Sequence, residues 1–425
     1  MKKKTRTRLA YISIVVFTAA TACLGTAFFI LPKENVSVIE KRKLSPFPTW
    51  TFEGFHKGTY IDSIDLFVSD NFPFREKFVA LSFDLKEKRG IRNEKISFHK
   101  KTVLTQKTVQ KKTEDTLSKV QADTAKVATA ENETGENEGI LIYNGMAMQL
   151  FGGNKPIAQY FASVVNLYQD SLKDKVKVYC AVTPTHGEFY LPEEYSRSYS
   201  SEKNNIRFIY SKLDSGINKV DIYSKLEEHK SEYIFFNTDH HWTGLGAYYA
   251  YTAFCEKAGL EPVKLADMKK RTIRKFLGSL YWTTRDQRLL EKKDSVEYYK
   301  VQAKYKTFVS AEKDTIVFKA SYLFAEGASG ASSYGVFLGS DHPAMRVDTE
   351  NQTGRKVLVL KNSYGNPFST YLVANFDQVF IVDYRYLDIS MSKLIEENGI
   401  TDVIIIVPTF SANTKWHAYR LKKIL

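Results

Sequence analysis

Four short, near-continuous apolar runs restrict the folds open to this chain more than any other feature. They are "KVKVYCAVTPT", "RKVLVLKNSYG", "QVFIVDYR" and "TDVIIIVPT", all rich in β-branched residues. Strands that read this way are buried on both faces. Segments with apolar residues at helical spacing, such as "IAQYFASVVNLYQDSL" and "MSKLIEENG", lie between them. Strand–helix alternation of this kind predicts a three-layer α/β/α domain with a mainly parallel sheet over residues 139–425. "GILIYNGMAMQLF" reads as a strand pair at its start, and the basic stretch Lys264–Lys306 as an excursion beside the sheet. Neither internal repeats nor a Gly-rich phosphate loop is present.

Ahead of this domain the sequence changes character three times. Leu9–Leu31 carries no charge over 23 residues, enough to span a bilayer. Lys2, Lys3, Lys4, Arg6 and Arg8 precede it, so residues 1–31 read as a single-pass anchor with the N-terminus cytoplasmic and the main domain outside. A cleavable signal peptide is the rival reading; its core would be shorter, and apolar residues continue past the weak "TAAT" site to Ile30 and Leu31. Residues 32–100 form a connector, "EKRKLSPFPTW", and a helical lead-in broken at Pro73. Residues 101–138 are rich in Lys, Thr, Glu and Ala and cannot bury a core of their own.

Charge and cysteine content exclude little. The net charge is +13, with five positive charges in the first eight residues; a mildly basic body suits an anionic polymer, although solvated lysine faces are commoner. There is no nucleic-acid motif. Cys23, Cys180 and Cys255 lack metal-ligand spacing, and Cys180 and Cys255 read as buried thiols, with a disulfide between them as the alternative.

Reactive residue types gather after three apolar runs, and in open α/β sheets function gathers at strand carboxyl ends. They are Thr185 and His186; Asp239, His240 and His241; and Asn362, Ser363 and Tyr364. A serine between an apolar strand and Gly365 can sit on a tight strand-to-helix turn, beside backbone N–H groups able to hold an oxyanion. The plain alternative is a helix N-cap. Serine needs an imidazole base, itself oriented by a carboxylate, and Asp239-x-His241 offers both on one loop, with His240 pointing elsewhere. Histidines satisfied by backbone, or a metal site of Asp239, His240, His241 and His186, are the competing readings of the same residues.

"NTDHHWT" resembles the signature of the DHHW family, which is similar to alginate O-acetyltransferases with an SGNH-hydrolase-like domain. "EKRKLSPFP", "DNFPFRE" and "KNSYGNPF…VFIVDYR" occur in the family's order. The resemblance implies Asp239 as orienting acid, His241 as base and Ser363 as nucleophile, with Asn362 where many relatives have Asp. It implies no metal and no cofactor. By analogy with the Gly-containing loop of SGNH folds, Gly339 is a candidate oxyanion donor; Tyr364, His186 and Arg385 are candidates for substrate contact, Arg385 alternatively closing the sheet edge with a salt bridge. The implied activity is extracytoplasmic O-acyl, and specifically O-acetyl, transfer to a cell-envelope or secreted polysaccharide. The implied acyl donor is a multi-spanning membrane acyltransferase. A deacetylating esterase would use the same triad, and a silent carbohydrate-binding assembly factor would keep the fold without it.

Overall fold

The apolar runs become the middle of an eight-stranded sheet. The computed structural model describes residues 3–33, 36–37, 42–56, 58–75, 77–78, 81–82, 85, 96–99, 137–172 and 176–425. Two compact units hold them, one over residues up to 85 and one over residues from 96 on.

In the first unit, α1 (Lys3–Ile30) contains an exposed apolar stretch, Tyr11–Ile30, with the length and composition of a membrane-crossing helix or a signal sequence. Helix α2 (Thr59–Asp70) stops before Pro73. Its last residue, Asp70, accepts hydrogen bonds from the backbone N–H and hydroxyl of Ser45, both at 2.9 Å. Asn71 donates back to the Ser45 carbonyl at 3.1 Å, so "DN" pins the Pro-containing connector. The helix expected after Pro73 lies largely outside the described residues, as does the insertion up to residue 136.

The second unit opens with an antiparallel sheet of β1 (Ile96–His99), β2 (Asn137–Tyr143) and β3 (Met146–Phe151). Asn144 and Gly145 join β2 to β3, both at positive φ (49° and 76°), the pairing that a two-residue hairpin turn favours. Helix α3 (Lys155–Leu172) then leads into the large sheet. Its strands are β4 (Lys177–Thr183), β5 (Asn218–Lys219), β8 (Tyr305–Ser310), β9 (Lys319–Ser321), β10 (Ala344–Thr349), β11 (Lys356–Lys361), β12 (Gln378–Asp383) and β13 (Asp402–Pro408). The spatial order is β9-β8-β10-β12-β11-β13-β4-β5. From β12 to β5 the pairings are parallel; β9, β8 and β10 join in antiparallel pairings. The sheet is therefore mixed. Its antiparallel strands include "YKTFVS" and "AMRVDT", whose interspersed polar residues disguise them as loop. The basic excursion is a separate two-stranded sheet of β6 (Lys269–Phe276) and β7 (Asp294–Lys300).

Successive residues of the parallel strands feed two different cores. Tyr179, Val357, Val359, Ile381, Ile404 and Ile406 pack with α5 (Ile222–Glu228), α6 (Gly244–Ala258) and α7 (Gly365–Tyr371). Their neighbours Val178, Leu358, Leu360, Val382, Val403 and Ile405 pack with α3, α4 (Glu202–Ser211), α8 (Met391–Asn398) and α9 (Lys415–Lys423). Both sides of these strands thus lie in apolar clusters, which explains the near-continuous apolar reading. Val357, Leu358, Val359 and Leu360 are all fully buried. At about 1.5–3 kcal/mol for each such side chain, this strand alone contributes a gross term comparable to a domain's net stability.

The carboxyl ends of β4 and β13 are tied by one buried acid. Glu202 accepts from the Thr185 hydroxyl at 2.6 Å, from the Thr185 N–H at 2.8 Å, and from the Thr409 hydroxyl. Burial pushes its pKa up to about 7, against those hydrogen bonds. The unfolded chain ionises this group near its ordinary value of 4.5, whereas the folded chain holds the proton until about pH 7. Stability from this group is therefore greatest below pH 4.5 and falls as pH rises to about 7, levelling off above it. In Glu202→Gln that fall should vanish, as read from denaturant midpoints between pH 4.5 and 8.

Candidate active site

The second histidine of the pair is held from both ends. Asp239 Oδ1 accepts from His241 Nδ1 at 2.6 Å, and His241 Nε2 lies 2.8 Å from Ser363 Oγ. Asp239 is fully buried, His241 is 2% exposed and Ser363 is 7% exposed, so all three are buried. The three residues the sequence singled out thus form one hydrogen-bonded chain, the arrangement that lets an imidazole take a hydroxyl proton.

The loop that presents the acid and base is irregular, although a strand end was expected. Phe235 and Trp242 form an isolated antiparallel bridge, and Phe236 N–H bonds back to the His241 carbonyl at 3.3 Å. The buried phenylalanines anchor it in the core while its backbone polar groups pair locally. Asp294, on β7, collects five donors from this region: Tyr233 hydroxyl, Asn237 N–H and side-chain amide, and Thr238 N–H and hydroxyl, at 2.5–2.9 Å. Burial raises its pKa, and the donors oppose that rise. The excursion also supplies Ser279, whose N–H donates to Asp239 Oδ2 at 2.7 Å. A Cβ on Gly278 would lie 2.2 Å from the Asp239 Cβ, so only glycine lets the backbone come this close.

The remaining signature residues have separate tasks. His240 turns away from Ser363 and bonds Ser279 Oγ through Nδ1 at 2.6 Å. Trp242 Nε1 donates to the Tyr364 carbonyl at 2.9 Å, tying the loop to the serine turn. Thr243 caps α6 by accepting from Gly246 N–H at 3.2 Å. Donor atoms of Asp239, His240 and His241 lie within 4.8 Å of one another, close enough for an ion. Both Asp239 oxygens and both Nδ1 atoms already serve hydrogen bonds within the loop and its support.

At the serine turn, Ser363 is not the N-cap of α7: Tyr364 holds that position, and the Ser363 hydroxyl faces His241. Asn362 shapes the turn, accepting from Tyr364 N–H at 3.1 Å and donating to Ser411 at 2.9 Å. An amide supplies the acceptor and the donor that this turn uses together.

Four expectations need correction. The N–H groups of Tyr364, Gly365 and Asn366 are taken by Asn362 Oδ1, the Asn362 carbonyl and the Ser363 carbonyl, so they do not stand open as an oxyanion hole. Gly339 is likewise engaged, donating to the Gly335 carbonyl at 3.0 Å. Tyr364 and His186 are buried and cannot touch a polymer; burial pushes the His186 pKa down to about 4. Arg385 closes no edge, since β12 lies between β10 and β11. It joins Asp341, Lys361 and Asp383 in an ion cluster, 2.9 Å from Asp341 Oδ2 and 2.8 Å from Asp383 Oδ2. Burial alone would raise the Asp341 carboxyl, but Arg385 and Lys361 hold it well below the usual range.

Sequence reasoning missed Asp294, Gly278, Ser279 and Tyr334, which lies against the His241 ring. Only Gly278-Ser279 gave any signal, a small-residue pair after an apolar strand end. The tight 2.6 Å Asp239–His241 contact should give a far-downfield Nδ1 proton resonance. Gly278→Ala should shift or abolish it while the fold persists, as should Asp239→Asn; an unchanged resonance in Gly278→Ala would mean that the close approach does not position the acid.

Among curated protein sequences none matches significantly. A crystal structure of a DHHW family protein from Eubacterium siraeum is 33% identical, with a TM-score of 0.63 over 69% of this chain and 96% of that one. Bacillus cereus PatB1, solved with a sulfonyl adduct, is 18% identical, with a TM-score of 0.57 over 67% of this chain and 98% of that one, and shares the fold. The O-acetyltransferase domain of Pseudomonas putida AlgJ is more distant, at 13% identity and a TM-score of 0.38 over 66% of this chain and 96% of that one. The DHHW protein family model matches residues 40–104 and 106–382, a span that includes Asp239, His241 and Ser363. On that match, the chain belongs to the DHHW family.

Proposed function

We propose that this chain is an extracytoplasmic O-acyl transferase, and specifically an O-acetyl transferase, acting on a cell-envelope or secreted polysaccharide. The single observation behind this reading is the hydrogen-bonded chain Asp239–His241–Ser363, at 2.6 Å and 2.8 Å. The frame we assign it is an SGNH-like three-layer α/β/α domain. PatB1 was solved with a sulfonyl adduct, a group that reacts with activated nucleophiles.

In the proposed cycle His241 Nε2 takes the Ser363 proton as Oγ attacks the acyl carbonyl. The C–O bond to the donor's leaving group breaks, the leaving group takes the proton from His241, and an acyl-serine remains. A sugar hydroxyl then gives its proton to His241 and attacks the acyl carbon; the proton returns to Ser363 as its ester bond breaks. Asp239 stays ionised throughout, holding the imidazole in the tautomer that offers Nε2 to the serine and stabilising the imidazolium. With α1 as anchor and its basic N-terminus inside, the site would face away from the cytoplasm. The donor would then be an acyl group handed over by a multi-spanning membrane acyltransferase.

The test is turnover of p-nitrophenyl acetate with and without oligosaccharide acceptors, product mass being followed. Ser363→Ala and His241→Ala should each lose at least about 10³-fold in kcat, and Asp239→Asn about 10⁴-fold. Acetylated sugar from the wild type supports transfer. Hydrolysis alone supports an esterase, loss on chelation a metal site, and an inert but folded wild type a binding or assembly role.

A further inference from the structure

Tyr334 belongs to a short 3-10 segment, Gly330–Val336, in a stretch rich in Gly and Ser. That segment is fixed: Ala325 N–H donates to the Val336 carbonyl at 2.8 Å, and Leu338 N–H to the Leu323 carbonyl at 3.0 Å. The Tyr334 ring is buried, edge-on to Phe236 (6.2 Å) and close to Phe337 (5.5 Å). Its face lies on the His241 ring, with centroids 4.0 Å apart and planes 12° from parallel. Its hydroxyl donates to the Ser363 carbonyl at 2.8 Å. One side chain therefore touches both the proposed base and the backbone of the proposed nucleophile.

We infer that Tyr334 is a positioning residue that locks His241 to Ser363 and favours the charged imidazolium formed when the serine gives up its proton. The contacts to Asp239 and Ser363 both run through the ring nitrogens, and two bonds in the plane leave the imidazole free to rock about the line joining them. A ring stacked on its face removes that freedom. The hydroxyl bond then sets the height of the serine turn against the same ring, so one residue fixes the Nε2–Oγ separation. An aromatic face also attracts a cation, and a buried one keeps water off that side. The other groups facing His241 are Asp239, His240, Ser363 and Tyr364, with Asp341 and His186 within electrostatic reach. All are retained in the variants below.

The kinetic part rests on the proposed catalytic role of the site; the titration part does not. With the full chain in detergent, kcat, KM and the acid limb of kcat/KM would be measured against pH for p-nitrophenyl acetate. The His241 titration would be followed by NMR after selective histidine labelling. Tyr334→Phe keeps the stack and removes the hydroxyl bond; its kcat should fall about tenfold, from loss of one buried hydrogen bond, with KM and the acid limb unchanged. Tyr334→Met fills the space without a π face. Its acid limb and its His241 midpoint should both move down by about half a pH unit. Tyr334→Leu replaces it if Met does not fold. A folded Met or Leu variant whose His241 midpoint stays put, or a Phe variant with wild-type kcat, overturns the inference. If the wild type shows no turnover at any pH, the catalytic reading fails and the histidine titration alone decides.

Discussion

The buried carboxylate of Asp294 holds the irregular loop that carries Asp239 and His241. Asp294 gathers five donors from Tyr233, Asn237 and Thr238 just ahead of the acid and base. An irregular loop has no ladder to hold its backbone groups, and a buried one must satisfy them some other way. Each buried donor left unpaired costs about 1–3 kcal/mol, so losing this carboxylate would open the loop rather than merely weaken it. Burial disfavours the ionised form, and the surrounding donors offset that penalty.

Around that anchor the signature divides into distinct physical tasks. Thr238 accepts from Gly278 N–H at 2.9 Å and so couples the loop to the β6–β7 excursion. Asp239 and His241 make the hydrogen-bonded pair, and His240 braces against Ser279. Trp242 crosses to the serine turn, and Thr243 starts α6. A run that could look like a single motif is thus part hydrogen-bonded pair and part scaffold. The DHHW family takes its name from four residues, only two of which point along the line to Ser363.

The ion cluster of Asp341, Lys361, Asp383 and Arg385 shows the same economy. Lys361 and Asp383 are register partners on β11 and β12, and the Lys361 side chain is 1% exposed. A lysine at that depth is tolerated because its carboxylate partners are built into neighbouring elements. Lys361 lies two residues before Ser363, so the cluster steadies the strand end from which the serine turn springs.

The apolar runs were sufficient to indicate β4, β11, β12 and β13, because burial on two sides writes itself into every position of a strand. Asp239 and His241 on one loop and Ser363 after an apolar strand were legible as candidate residue types, but helix capping, backbone pairing and metal binding were open readings of the same residues. Their joining in one hydrogen-bonded chain came from packing. Helix faces, charge runs and the length of the Leu9–Leu31 stretch were equally open to reading. The antiparallel strands β8 and β10, the support from Asp294 and Gly278, and the stacking of Tyr334 were not. Those depend on contacts between residues up to 93 positions apart in chain, for which local composition carries no signal. The tertiary structure also engages the N–H groups of Tyr364, Gly365, Asn366 and Gly339 in hydrogen bonds and buries His186 and Tyr364, which were candidates for substrate contact. A sequence states which groups could react; only packing decides which of their hydrogen bonds are already taken.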